Sequence, residues 1–326
     1  LVDGLSYRDE LHEKYLSGRP EISFYRYLAD TLLNDDWRQP PVLAVIVAEG
    51  DITYRGDFLS SLQGEKTVTP YQMSRAFNRA ISDPRVKGLV LRINSPGGYA
   101  LAGEDIYRTA WKAAERKPLL VSMASVAASG GYYIAMPARR IFANPAAITG
   151  SIGIYGGKLD LSGLYEKISL NKELYTRGRF AGMLSLSRPF SEDERLKYYT
   201  HMKAFYDYYL KLVADNRSLS VDSVDNLAQG KVWTGREARQ YGLVDELGGL
   251  KTTLDYLAGQ LGLADYRIEI YPIERPLFIL PGGFLMNAIA GIFTSDKESS
   301  PALDVVPGLS ETGELYARMP FDITIE

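Results

Sequence analysis

With 326 residues, 46% of them hydrophobic, the chain can enclose a sizeable core in one large or two ordinary domains. Its net charge of −3 arises from 37 basic and 40 acidic residues that interleave without a basic stripe, which removes the electrostatic ground for nucleic-acid binding. Cysteine is absent, so disulfides, thiolate nucleophiles and zinc–thiolate centres are excluded.

The first residue is Leu1, with no initiator Met and no signal-peptide pattern, and it reads as a cut end. Residues 1–36, rich in charge and tyrosine, read as helix until Gln39-Pro40-Pro41 breaks it and a new unit begins. The β-branched run Val42 to Val47 predicts a strand that turns at Glu49-Gly50-Asp51, and the apolar spacing of Thr69 to Ile81 predicts a helix stopped by Asp83-Pro84. A second strand, Gly88 to Asn94, feeds the loop Ser95-Pro96-Gly97-Gly98, and a helix follows from Ala100 to Arg116. Leu119 to Met123 is the next strand, Ser129-Gly130-Gly131 opens a helix to about Met136, and Arg140 to Ala143 is a strand before Thr149-Gly150-Ser151-Ile152-Gly153. Such alternation predicts an α/β layered architecture.

Ser191 with Glu194 three residues on is a capping box that starts a long amphipathic helix. That helix carries Tyr198, Tyr199, Phe205, Tyr208 and Tyr209, a stripe suited to packing or to a contact with another subunit. The two histidines, His12 and His201, are expected to be packed or solvated helix residues rather than catalytic ones. The apolar stretch Pro276 to Phe293 is of spanning length but is interrupted by Pro281, Gly282 and Gly283. It reads as a loop and short apolar helix, either buried, at a subunit contact, or touching lipid. Leu1-Val2-Asp3-Gly4-Leu5 echoes Leu243-Val244-Asp245-Glu246-Leu247, as if the chain began on the tail of an earlier copy of the same unit.

Three short segments can carry chemistry. Asn94-Ser95-Pro96-Gly97-Gly98 sets backbone N–H groups before a helix start, which fits an oxyanion hole or simply a tight turn. Ala127-Ala128-Ser129-Gly130-Gly131 puts a hydroxyl among the smallest residues at a helix start, where Ser129 is a nucleophile or an N-cap. Thr149-Gly150-Ser151-Ile152-Gly153 adds another small hydroxyl. The sequence carries no metal-ligand cluster and no nucleotide-binding loop, and no cofactor is expected.

Taken in order, N-S-P-G-G, A-A-S-G-G-Y, T-G-S-I-G and Val232-Trp233-Thr234-Gly235-Arg236-Glu237-Ala238 with Gly242-Leu243-Val244-Asp245 resemble the signal peptide peptidase A (protease IV) family over about Val42 to Leu261. The resemblance implies a ClpP/crotonase-like α/β fold of repeated strand-strand-helix units. It also implies a Ser/Lys peptidase in which Ser129 is the nucleophile, Gly98 and Gly130 donate to the oxyanion, and Ser151 orients the lysine. In single-domain members that lysine lies in a K-S-G-x-x-K pattern. The matching stretch here, Thr176-Arg177-Gly178-Arg179-Phe180-Ala181, ends in alanine, and Lys158, Lys167 and Lys172 fall outside the pattern.

The long form of the family has two tandem units, the first supplying the lysine and the second the serine, and this chain resembles the second. The expected organisation is therefore 1–40, a helical linker and the tail of a preceding repeat; 41–262, the serine-bearing domain; and 263–326, a C-terminal extension. Family likeness further implies signal peptides or other hydrophobic peptides as substrates and the lysine-bearing N-terminal half as partner. It implies a homotetramer anchored at the periplasmic face of a bacterial inner membrane through a segment outside this chain. The sequence is also compatible with two other readings: a non-catalytic assembly or substrate-binding half, and crotonase-like acyl-thioester chemistry.

Overall fold

The computed structural model describes residues 40–54, 66–272 and, as backbone, 316–318. Its main sheet runs in the order β10 (Glu246–Leu247), β7 (Arg140–Ala143), β6 (Leu119–Ala128), β4 (Val86–Ser95), β1 (Val42–Glu49), β11 (Arg267–Tyr271), with every neighbouring pair parallel. Continuous apolar runs such as Leu43 to Ile46 suit strands covered on both faces. In β1, Val42, Ala44, Ile46 and Ala48 join one core cluster, while Leu43 and Val45 join another.

The first cluster is closed by Met73, Ala76, Phe77 and Ala80 of α1 (Pro70–Ser82), by Ala102, Ile106, Ala110 and Ala113 of α2 (Ala100–Ala114), and by the C-terminal half of α5 (Glu192–Arg217). The second is closed by Leu254, Leu257 and Ala258 of α8 (Leu250–Gln260). Helix α1 begins with a capping box: Thr69 Oγ1 accepts from the Gln72 N–H at 3.2 Å, and Gln72 Oε1 accepts from the Thr69 N–H at 3.3 Å. Helix α5 has the capping box expected at Ser191 and Glu194, and its 26 residues begin directly after Ser191. Of its stripe, Tyr198 and Tyr209 are buried while Tyr199 and Tyr208 stay exposed, so one face packs and the other remains open.

A small second sheet has the order β12 (Tyr316–Arg318), β5 (Gly97–Tyr99), β2 (Asp51–Ile52), β3 (Thr67–Val68). The expected strand-strand-helix unit is present in β4–β5–α2, and β1–β2–β3–α1 repeats it with one strand more. In β1–β2–β3–α1 and again in β4–β5–α2, the first strand enters the main sheet and the next enters the small one, so the fold is ClpP/crotonase-like. Strand β11 lies in the stretch 263–326 and pairs along β1.

Several elements depart from the sequence expectation: Gly97 and Gly98 of the expected loop belong to β5, Asp51 of the expected turn belongs to β2, and two longer elements end elsewhere. Strand β6 runs on to Ala128, beyond Met123, because its second half gains its own partner, β8 (Ile148–Gly150). The alanines there have low strand propensity, which hides the extension. The helix after Ser129 is only α3 (Gly130–Tyr133), followed by turns. The expectations for residues 1–36, for the echo at Leu1, for His12 and for Pro276 to Phe293 fall outside the described residues. Among the described residues no helix is long and apolar enough to cross a membrane, and no group of acidic or histidine side chains could hold a metal ion.

Candidate active site

Ligand sites in parallel sheets form beyond the carboxyl ends of the strands. Three loops meet there. Strands β4 and β6 are in register at Ser95 and Ala127, and β6 and β8 at Ala128 and Gly150, so Ser95, Ser129 and Ser151 leave neighbouring strand ends. The Ser129 N–H donates to the Gly150 carbonyl at 2.8 Å, which ties two of these loops together.

Ser129 itself is strained, with φ 53° and ψ −115° in a residue that is not glycine. Such a conformation costs about 1–3 kcal/mol and persists only where its surroundings over-determine it. Here they do. Besides the bond to Gly150, the Ser129 carbonyl accepts from the Tyr133 N–H at 2.8 Å and from the Tyr209 hydroxyl at 2.7 Å. The side chain makes no helix-capping bond, so the N-cap alternative fails. Instead Oγ is buried, with no hydrogen-bond partner among the described residues.

The glycines around Ser129 have steric reasons to be there. A Cβ on Gly131 would lie 2.5 Å from the Ser95 carbonyl oxygen, so only glycine lets the nucleophile turn meet the Ser95–Gly98 loop. A Cβ on Gly98, whose φ is 150°, would lie 2.1 Å from the Ile52 carbonyl oxygen. Within that loop, Ser95 Oγ accepts from the Gly97 N–H at 3.2 Å, and Asn94 Oδ1 accepts from the Val126 N–H at 3.2 Å. Gly130 opens α3, and its N–H belongs to the first-turn donors that a helix leaves without an intrahelical acceptor.

Ser151 is buried with φ 49°, and its N–H donates to the Lys231 carbonyl at 2.7 Å. The Val232 to Ala238 motif explains its setting. Strand β9 (Val232–Thr234) lies antiparallel on β8, and Trp233 packs so close to Gly150 that a Cβ there would sit 2.8 Å from the ring. Thr234 caps α7 (Gly235–Gln240), and Gly235 N–H reaches the Ala147 carbonyl at 2.7 Å. Asp245, the end of the Gly-Leu-Val-Asp motif, pairs with the buried Arg217 at 2.7 Å and accepts from the Ile141 N–H, also at 2.7 Å. These two motifs build the support under the serine loops.

Ala181 is exposed. Lys158 donates to the carbonyls of Ser185 and Arg188, each at 2.8 Å, and covers the Phe190 ring. Burial lowers its pKa, but its protons are committed to those carbonyls. Lys167 is exposed at the end of α4 (Ser162–Lys167), and the Lys172 ammonium sits over the Tyr165 ring. Lys203, which the sequence did not single out, lines a cavity of about 480 Å³ together with Ser151, Ile154, Met202 and Tyr206. It is ion-paired with Asp207 at 2.7 Å, and that bond raises its pKa, which keeps it a charged ammonium rather than a base. His201 is exposed on α5.

The profile of peptidase family S49 matches residues 112–264. Over 279 residues the chain is 34% identical to the serine protease SPPA, chloroplastic, of Arabidopsis thaliana, covering 85% of this chain and 40% of that protein. It is 33% identical over 254 residues to Protease 4 of Salmonella typhi, covering 78% and 39% respectively. A putative protease of Synechocystis sp. is 31% identical over 198 residues, which cover 61% of this chain and 72% of that one. The chain thus spans about 40% of the length of the first two relatives.

Proposed function

The chain belongs to peptidase family S49, and from that premise we propose that it is the serine-bearing part of a Ser/Lys endopeptidase acting on cleaved signal peptides and other hydrophobic peptides. The observation that carries this reading is Ser129 Oγ, a buried hydroxyl that bonds to none of the described residues, on a strained turn at the sheet's carboxyl edge. Ser129 Oγ attacks the scissile carbonyl while a neutral lysine amine accepts its proton. The N–H groups of Gly98 and Gly130 receive the charge that develops on the carbonyl oxygen, an interaction in which one donor is worth about 2.7–4 kcal/mol. Ser151 holds the amine. The proton passes to the leaving nitrogen, and water then releases the acyl group from Ser129.

The lysine comes from another unit, the N-terminal half in the long form of the family. Ala181 at the pattern position and the engaged state of Lys158 and Lys203 support this, and the cavity beside Ser151 offers such an amine a route inward. The backbone of Tyr316–Arg318 lies antiparallel along Gly97–Tyr99, so this edge accepts an extended chain, and a peptide substrate taking it would displace that strand. On this reading the assembled enzyme is a homotetramer at the periplasmic face of the inner membrane, and the exposed Tyr199 and Tyr208 suit its subunit contacts.

Ala181 also favours a second reading, an assembly half whose catalytic groups are relics. Hydrolysis of a hydrophobic reporter peptide by the enzyme that includes the lysine-bearing unit separates the two. Ser129→Ala is expected to lower kcat at least about 10³-fold. Unchanged turnover in that variant would support the relic reading and end the peptidase assignment for this half.

A further inference from the structure

Tyr209 stands on α5, 80 residues from the nucleophile, yet its hydroxyl donates to the Ser129 carbonyl at 2.7 Å. We infer that Tyr209 is a positioning residue that sets the direction of the Gly130 oxyanion donor, an inference that rests on the peptidase reading above.

The Ser129 carbonyl and the Gly130 N–H belong to one planar trans amide, so they point in opposite directions. Whatever fixes the carbonyl fixes the N–H as well. Two donors hold this carbonyl, the Tyr133 N–H and the Tyr209 hydroxyl. The first is the opening bond of α3, a four-residue helix, and a single turn has little stability of its own. The second comes from a 26-residue helix anchored in the core through Leu210, Leu212, Val213 and Ala214.

The Tyr209 side chain is built for a fixed geometry. It is fully buried, and its ring meets the Tyr133 ring edge-on at 4.7 Å between centroids. Tyr133 in turn stacks on Phe205, touches Tyr107 edge-on, and donates its hydroxyl to Glu104. Burial pushes the Tyr209 phenol well above its ordinary pKa, so it keeps its proton at any working pH. Because Ser129 is strained at φ 53° and ψ −115°, rotation of the 129–130 amide would relieve the turn, and the Tyr209 bond opposes that rotation.

Tyr132 is the natural control. It is equally buried and donates to a backbone carbonyl at 2.8 Å, but that carbonyl belongs to Leu243 and has no part in the oxyanion amide. The test compares Tyr209→Phe, Tyr132→Phe and Ser129→Ala in the enzyme that includes the lysine-bearing unit, at a temperature where circular dichroism shows each variant folded. Tyr209→Phe is expected to lower kcat about 10–100-fold, with KM within about twofold of wild type. It should weaken a peptide boronate, whose tetrahedral adduct places an oxygen in the oxyanion hole, by a similar factor. Tyr132→Phe is expected to lower the melting temperature comparably while leaving kcat and boronate affinity near wild type. Equal kinetic losses in both tyrosine variants, or none in Tyr209→Phe while Ser129→Ala is inactive, would overturn the inference. An active Ser129→Ala would instead overturn the peptidase reading on which it rests.

Discussion

Ser129 and Ser191 both stand immediately before a helix, and the chain treats them in opposite ways. Ser191 is extended, at φ −68° and ψ 166°, and its Oγ accepts from the Glu194 N–H at 3.3 Å while Glu194 returns the bond to the Ser191 N–H at 2.9 Å. Thr69, Thr234 and Ser220, which precedes α6 (Val221–Leu227), cap their helices through the same side-chain bond. Ser129 is twisted to φ 53° and makes no cap bond. The difference lies in the residues on the C-terminal side of each serine. An acidic run gives α5 a local start signal, whereas Gly130-Gly131-Tyr132-Tyr133 gives α3 none and leaves it to be held by distant partners. In one turn the hydroxyl stabilises a helix; in the other, tertiary contacts hold the backbone and leave the hydroxyl without a partner among the described residues.

The largest expected effect comes from breaking the tertiary side of that contrast. Gly131→Ala drives a Cβ to 2.5 Å from the Ser95 carbonyl oxygen and should cost about 3 kcal/mol or more in urea unfolding, with peptidase activity lost as well. Breaking the local side should be milder. Ser191→Ala is expected to lose about 1 kcal/mol with kcat unchanged. The mirror substitution sharpens the comparison: Ser129→Ala removes a buried hydroxyl that bonds to none of the described residues, so its stability should be equal to wild type or up to about 1 kcal/mol higher even as activity disappears. A loss as large as that of Ser191→Ala would mean that the Ser129 hydroxyl is structural after all.

The smallest effect is a pH dependence confined to the capped helix. The hydrogen bond from Arg188, then the Ser191 N–H, hold the Glu194 carboxyl at about 2 against an ordinary 4.5. A depressed carboxyl pKa stabilises the fold above the unfolded value, and that contribution is lost as pH falls from about 4.5 to about 2. Arg188 is partly exposed, so solvent screening keeps the contribution modest. Urea midpoints at pH 5 and pH 3 should therefore converge more in Glu194→Gln than in wild type. An identical drop in both would deny the carboxylate its role in the cap.

Much of the scaffold was legible because it is specified locally. Apolar runs in β1 and β4, the stop at Asp83-Pro84 and the Ser191–Glu194 box depend on neighbours in sequence. The second half of β6 was not, since its alanines form a strand only when β8 pairs beside them. The short strands of the second sheet escaped for the same reason, two or three residues being too few to show a period. At the site, the ordered motifs named the loops that the fold brings to one edge of the sheet. The positive φ of Ser129 had no signal, because a strained non-glycine residue is imposed by contacts rather than composition. Tyr209 was visible only as one member of a tyrosine stripe, and its bond to residue 129 spans 80 positions.

The most direct test of the account is covalent labelling with a peptidyl fluorophosphonate, with the adduct located by mass spectrometry in this chain alone and in the chain joined to the lysine-bearing unit. A stoichiometric adduct on Ser129, formed rapidly only when that unit is present, is the expected result. Equally rapid labelling of the lone chain would place the base within it, and labelling elsewhere, or nowhere, would contradict Ser129 as the nucleophile.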